Sequence, residues 1–320
     1  MKYIPQWQTN SIHNELKSKL DAYRDKRNFD AKKYIIDKAE LLNKYMKLSG
    51  LKSCVVAVSG GIDSAIVLGI ANKAMKMENS PIECIIPVTL PVFDDKATSH
   101  QTGTVLKAEE LCKHFKLDIK TVDITPIFNQ IHEQVEKAIS QEGDGWARGQ
   151  LVAYSRTPTL YYITSLMSEK GLPAIILGTN NKDEGAYLGY FGKASDGMVD
   201  VQVISDIHKS EVYLVANELG IPDVIMDAVP TGDMYDARDD ESVFGAPYDF
   251  VEFYLDVLEK KIDVSDLKES KNEYQKMKDN LESLHKYNQH KYIAASPAVH
   301  IDLDYLTYKI ENGWRYQTWN

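Results

Sequence analysis

Ser59-Gly60-Gly61-Ile62-Asp63-Ser64 gathers in six residues the groups that can hold a polyphosphate. Gly60 and Gly61 lack a Cβ, so backbone can approach a phosphate closely. The hydroxyls of Ser59 and Ser64 can donate to phosphate oxygens. Asp63 would repel such a ligand unless a divalent cation lay between them, so its presence implies Mg2+. No GxxxxGK[ST] occurs in the chain, which excludes the usual kinase or GTPase loop. A second carboxylate, Glu184, follows the apolar run Ala174–Leu177 and the turn Gly178-Thr179-Asn180. Lys193 and Lys209 flank that segment and offer compact positive charge suited to phosphate.

These residues need a frame. Cys54–Val58 reads as a buried parallel strand, and Ala65–Ala71 as a buried helix. A strand, a glycine turn and a helix N-terminus together make an anion site. Ile35, Ala39, Leu42 and Met46 recur at helical spacing. The pattern then predicts strand 53–58, helix 63–77, strand 82–88, helix 99–116, strand 118–122, a helical stretch, helix 149–169, strand 174–178 and helix 208–219. Such alternation predicts an α/β fold, a Rossmann-like parallel sheet with helices on both faces. Ligands of open parallel sheets sit at the carboxyl ends of the strands, so Glu184 is expected to face Asp63 across one crevice. Residues 1–30 read as an arm with little core of its own, and 31–258 as the nucleotide-binding domain. Residues 259–320 read as a solvated helical segment (259–291) and an aromatic tail with Tyr305, Tyr308, Trp314, Tyr316 and Trp319. The Pro-, Gly- and acid-rich stretch 229–247 reads as a surface loop or an active-site lid.

SGGxDS resembles the pyrophosphate loop of the ATP pyrophosphatase superfamily, whose members split ATP between its α and β phosphates and adenylate an acyl or carbonyl oxygen. Residues 174–222 are more specific. Gly178-Thr179-Asn180 with Glu184, Leu188-Gly189-Tyr190-Phe191-Gly192-Lys193 with Asp196-Gly197, then Asp200, Lys209-Ser210-Glu211-Val212 and Leu219-Gly220-Ile221-Pro222 resemble the NAD synthetase family in order and spacing. The resemblance implies the adenine nucleotide α-hydrolase-like fold. It implies ATP-dependent amidation of nicotinic acid adenine dinucleotide to NAD by ammonia, through an acyl-adenylate, with release of AMP and pyrophosphate. It implies ATP contacts from Ser59, Gly60, Gly61, Asp63, Ser64, Thr179 and Arg156, and Mg2+ held by Asp63 and Glu184. Catalytic roles fall to Asp63, Lys193 and Lys209. Substrate contacts fall to Tyr190, Phe191, Asp196, Asp200, His290 and Lys291. Pro230-Thr231-Gly232-Asp233-Met234 resembles the family's PTADL, and Asp240-Glu241 with Gly245 and Tyr248 its DExxLGxxY.

The chain also departs from that pattern. Thr89, Tyr154 and Tyr292 stand where the family has arginines, and Thr157 where it has methionine. Two further readings follow: a related ligase acting on a different carboxylate, or a nucleotide-binding homologue without turnover. A glutamine-dependent relative needs an additional amidohydrolase domain, for which the residues ahead of the ATP loop are too few. A net charge of −10 and no basic run argue against a nucleic-acid partner. No apolar run nears the ~18–20 residues of a membrane span, and no signal peptide opens the chain. Cys54, Cys84 and Cys112 form no CxxC and read as reduced core residues, which points to the cytoplasm. Helix 149–169 carries apolar residues on both faces: Leu151, Val152, Leu160, Tyr161, Tyr162, Ile163 and Leu166. One face can pack on the sheet; the other predicts a homodimer contact, or a seat for the aromatic tail.

Overall fold

The computed structural model describes residues 12–93, 98–232, 238–293 and 299–300. Its centre is a six-stranded, all-parallel sheet in the order β3-β2-β1-β4-β5-β6. The strands are β1 (Ser53–Ala57), β2 (Cys84–Thr89), β3 (Lys120–Thr121), β4 (Ala174–Gly178), β5 (Val201–Gln202) and β6 (Val299–His300). The helices are α1 (Asn14–Arg27), α2 (Ala31–Leu48), α3 (Ile62–Met75), α4 (Thr98–Phe115), α5 (Thr125–Ile139) and α6 (Gly145–Glu169). After β4 come a wide π-helical turn (Asp183–Leu188), α7 (Lys209–Leu219), α8 (Asp223–Met226), α9 (Asp240–Phe244), α10 (Tyr248–Leu258) and α11 (Lys271–Ile293).

Side-chain alternation along the strands decides the layers. Cys54, Val56, Ile175 and Leu177 point into a core shared with α2, α3, α4 and α7. Val55, Val88 and Ile176 point the other way, against Val152 and Leu160 of α6 and Phe128 of α5. Strands buried on both faces read as continuous apolar runs, which is why β1 and β4 were visible in sequence. β5 and β6 have two residues each, too few for any period, and were not expected.

The segment expected to be an arm is partly a packed helix. α1 buries Leu16 and Leu20 in a cluster with Phe250, Tyr254 and Leu281. Its apolar stripe is Leu16, Leu20 and the half-buried Tyr23, with Ile12 just ahead of the helix, and polar contacts add to its docking. Arg24 Nε donates to Glu252 at 2.9 Å and its Nη2 to Asp249 at 2.8 Å, while Arg27 pairs with Glu211. The C-terminal helix starts at Lys271, later than residue 259. The Glu15 carboxylate accepts from the amides of Lys268, Glu269 and Ser270 and from Ser270 Oγ, just ahead of the helix start. α11 packs on the π turn and α10, so residue 259 marks no break in packing. The aromatic tail, residues 233–237 and the side chain of Tyr292 lie outside the described residues. Cys54, Cys84 and Cys112 are all free thiols.

Candidate active site

β2 lies on one side of β1 and β4 on the other, so the chain reverses direction across the sheet between β1 and β4. Loops leaving the carboxyl ends of two such strands diverge and leave a crevice. A cleft of about 280 Å3 opens there. The β1–α3 turn forms one wall. Gly60 sits at φ +76°, a left-handed conformation, and a Cβ there would lie 2.8 Å from Thr104 O. Ser64 Oγ donates to Gly61 O at 2.9 Å and lies 3.3 Å from Ser59 N, so the hydroxyl ties the turn to itself. The first turn of α3 therefore faces the cleft, with Asp63 where a helix N-terminus favours an anion.

The opposite wall is the segment after β4. Asn181 Nδ2 donates to Asp63 Oδ1 and to Glu184 Oε1, both at 2.8 Å. Lys209 Nζ lies 2.6 Å from Asp63 Oδ2 and 2.9 Å from Glu184 Oε1. One ammonium and one amide thus hold the two carboxylates together. Tyr248 Oη lies 2.9 Å from Glu184 Oε1 and 2.8 Å from Asp240 Oδ2. Asp240 Oδ1 accepts from Gly232 N and Tyr190 Oη, which ties residues 230–232 to the same centre.

The electrostatics follow from this crowding. Burial, with Asp63 and Asp240 nearby, pushes the Glu184 carboxyl up to about 7, against the pull of Lys209. Burial opposes the Lys209 charge, but Asp63, Glu184 and Asp240 outweigh it and hold its pKa well above the ordinary lysine value. Two carboxylates held this close over one cleft are poised to accept a hard cation. Among the described residues no group of three or more His, Cys, Asp or Glu side chains could hold a metal ion. The pair would need further oxygens from ligand phosphates and water, the usual arrangement for Mg2+.

Of the residues singled out in sequence, Ser59, Gly60, Gly61, Asp63, Ser64, Arg156, Thr179, Glu184, Tyr190, Asp196 and Lys209 line this one cleft. Phe191, Lys193, Asp200, His290 and Lys291 do not. Lys193 is exposed, and its Nζ donates to His290 O at 3.3 Å. Lys291 Nζ donates to Gly189 O and Phe191 O and lies over the Phe191 ring. Asp200 serves the sheet: its Oδ2 accepts from Ile176 N at 2.7 Å and its own N donates to Ile176 O. That extends the β4–β5 ladder by one residue. Asn181, between Asn180 and Glu184, has no role read from sequence; a side-chain amide between a turn and two carboxylates has no signature in spacing. Thr89, where the family has an arginine, lines the cleft beside Leu90, whose carbonyl accepts from Arg156 Nε at 3.2 Å.

The family model for NAD synthase matches residues 34–295. The chain belongs to the NAD synthase family. It is 30% identical over 212 residues to the NH(3)-dependent NAD(+) synthetase of Syntrophomonas wolfei, covering 66% of this chain and 78% of that one. It is 29% identical to the NH(3)-dependent NAD(+) synthetase of Thermoplasma volcanium, over 77% of this chain and 89% of that protein. The fold superposes on NMN synthetase from Francisella tularensis with a TM-score of 0.66 and 23% identity, covering 82% of this chain and 96% of the other. Family members are C–N bond-forming ligases that use ATP, and the Rossmann-like sheet described above is this family's frame.

Proposed function

We propose that the protein amidates nicotinic acid adenine dinucleotide to NAD with ammonia, at the expense of ATP. The observation that carries this is the meeting of Asp63, Glu184 and Lys209 at the mouth of the Gly60-Gly61 turn, in a chain of this family. The β1–α3 turn cradles the β and γ phosphates with backbone N–H groups and the hydroxyl of Ser59, while the Ser64 hydroxyl holds the turn in shape. Asp63 and Glu184 hold Mg2+, which when bound neutralises the departing pyrophosphate. Lys209, which lies against both carboxylates, would add charge to the same oxygens. Thr179 and Arg156 lie beside the nucleotide, and Tyr190 and Asp196 beside the acyl substrate. Lys193, Phe191, His290 and Lys291 belong to a surface next to the cleft, from which they reach a bound dinucleotide.

The substrate carboxylate attacks the α-phosphorus, and the bond to the β-phosphate oxygen breaks. Ammonia then attacks the acyl carbon, AMP leaves with the electron pair of the C–O bond, and the nitrogen loses a proton. No side chain becomes covalently attached, so catalysis is positioning and charge compensation.

Incubation with ATP, Mg2+, ammonium and the deamidated dinucleotide should give NAD, AMP and pyrophosphate in equal amounts. The deamidated mononucleotide run in parallel reads the acyl preference. ADP and inorganic phosphate as products would overturn the mechanism. Equal rates with glutamine alone would overturn the ammonia assignment.

The proposed working form is a homodimer in the cytoplasm, built on α5 and α6. Ile127, Ile131, Val135 and Ile139 are exposed at four-residue spacing on α5, and Trp146, Tyr162 and Leu166 are exposed on α6. A two-fold pairing would bury these stripes isologously. Light scattering across dilution should give twice the chain mass; a fully active monomer at every concentration would remove this interface. No described helix is long and apolar enough to cross a membrane.

A further inference from the structure

Behind the cleft wall lies a second charged cluster that the reaction does not touch. Asp183 precedes Glu184 in the chain, and His208 precedes Lys209. Glu184 and Lys209 face the cleft; Asp183 and His208 are fully buried behind them. Asp183 Oδ1 lies 2.6 Å from His208 Nδ1, and its Oδ2 accepts from Lys209 N at 2.7 Å. Lys182 N donates to Ile207 O at 2.9 Å, so the two tripeptides run side by side. His208 Nε2 points toward Asp256 of α10, 3.7 Å away, and neither Asp256 oxygen has a hydrogen-bond partner among the described residues. Lys261 Nζ stands 3.6 Å from the same carboxylate.

We infer that Asp183 and His208 are positioning residues, which fix the distance between the Glu184 carboxylate and the Lys209 ammonium from behind. The inference rests on the ATP–metal part of the function proposed above. A buried ion pair is weak evidence for stability, because desolvation consumes most of its attraction. What it does supply is a fixed register between two backbone segments. Here one carboxylate accepts from the backbone of the phosphate-facing lysine and is itself one residue from the metal-facing glutamate. Any tilt of the π turn or slip of the α7 N-terminus must break a charge-assisted hydrogen bond in a site closed to water. The His208 imidazole is kept charged: burial opposes this, but Asp183 and Asp256 outweigh it and raise its pKa to about 10. His208 N also donates to Glu211 Oε2, and Glu211 pairs with Arg27, so α1 braces the same corner.

Three variants read this out. Asp183→Asn keeps an acceptor for Lys209 N and drops the charge, Asp183→Ala drops both, and His208→Gln drops the imidazolium. Mn2+ replaces Mg2+ so that its affinity for the ATP-bound protein can be measured by electron paramagnetic resonance, without turnover. Asp183→Asn and His208→Gln should weaken Mn2+ binding and kcat together by ~10- to 100-fold, with KM for the acyl substrate within about twofold. Asp183→Ala should exceed both. Arg24→Met, which breaks a partly buried ion pair away from the cleft, should lower Tm and leave Mn2+ affinity at the native value. Should Asp183→Ala fail to fold, the two milder variants carry the test. Native Mn2+ affinity and native kcat per folded molecule in both would overturn the inference. Native protein that binds ATP and Mn2+ but does not amidate the dinucleotide would overturn the acyl assignment alone.

Discussion

Asp63 and Glu184 meet over one cleft, yet the two turns that carry them are held by different means. The β1–α3 turn closes on itself. Ser64 Oγ on Gly61 O and Ser59 N near Ser64 Oγ are contacts within six residues, and Gly60 between them turns the chain at φ +76°. The turn after β4 is held from far along the chain. Asn181 reaches Asp63, Asp183 meets His208 and Lys209, and Glu184 meets Tyr248. A motif whose geometry is local can be read as a string; one whose geometry is borrowed can only be matched to a relative.

Removing either carboxylate should produce the largest effect. Asp63→Ala and Glu184→Ala should each lower kcat by about a hundredfold or more, since each strips charge from the phosphate-facing centre. If the two turns serve one ion, the double variant should be little worse than either single one. Multiplicative losses in steady-state rates would separate the two turns functionally and break the comparison.

Gly60→Ala sharpens it on the glycine turn, at a point where that turn meets a distant helix. A side chain there meets left-handed backbone and Thr104 O at 2.8 Å, so the turn must shift. We expect about 1–3 kcal/mol of lost stability in urea melts and weaker ATP binding. Unchanged ATP affinity would show that the turn does not need its backbone where it is. Ser64→Ala is milder. It removes one buried hydroxyl bridge, and the expected loss is about 1 kcal/mol, read as a lower urea midpoint at constant m.

The smallest effect lies on the side braced from afar. Hydrogen bonds from Ser270, first its hydroxyl and then its amide, with those of Lys268 and Glu269, lower the Glu15 carboxyl to about 2. Its unfolded value is near 4.3. A depressed folded pKa means the contribution is complete above the unfolded value and lost as pH falls toward 2. Glu15→Gln should therefore lower Tm at pH 7, and the gap to the native protein should close by pH 2. A gap independent of pH would show that charge plays no part in this brace.

The same contrast explains what sequence could disclose. β1, β4 and the loop between β1 and α3 carry their information in adjacent residues: apolar runs, two glycines, a helix start. The parallel sheet and the facing of Asp63 and Glu184 followed from alternation of elements and from where open sheets bind ligands; the order β3-β2-β1-β4-β5-β6 did not. α1 escaped because Leu16 and Leu20 are a thin stripe on a charged helix, and its docking depends on Asp249 and Glu252, more than 220 residues on. Asp200 was expected beside the substrate because its motif is; only the position of Ile176 N shows that the sheet uses it. Tyr248 was visible as part of a motif, but its bridge from Glu184 to Asp240 needs three separate segments in place.

The π turn that carries Glu184 is closed from behind by the last described helix. His285 stacks on Tyr187 with ring centroids 3.9 Å apart, and Asn288 Nδ2 donates to Leu188 O. A ribosome making this chain finishes the glycine turn and most of the sheet long before it reaches residue 288. The glycine turn thus has all its own contacts early, whereas the segment that carries Glu184 gains its backing only a hundred residues later.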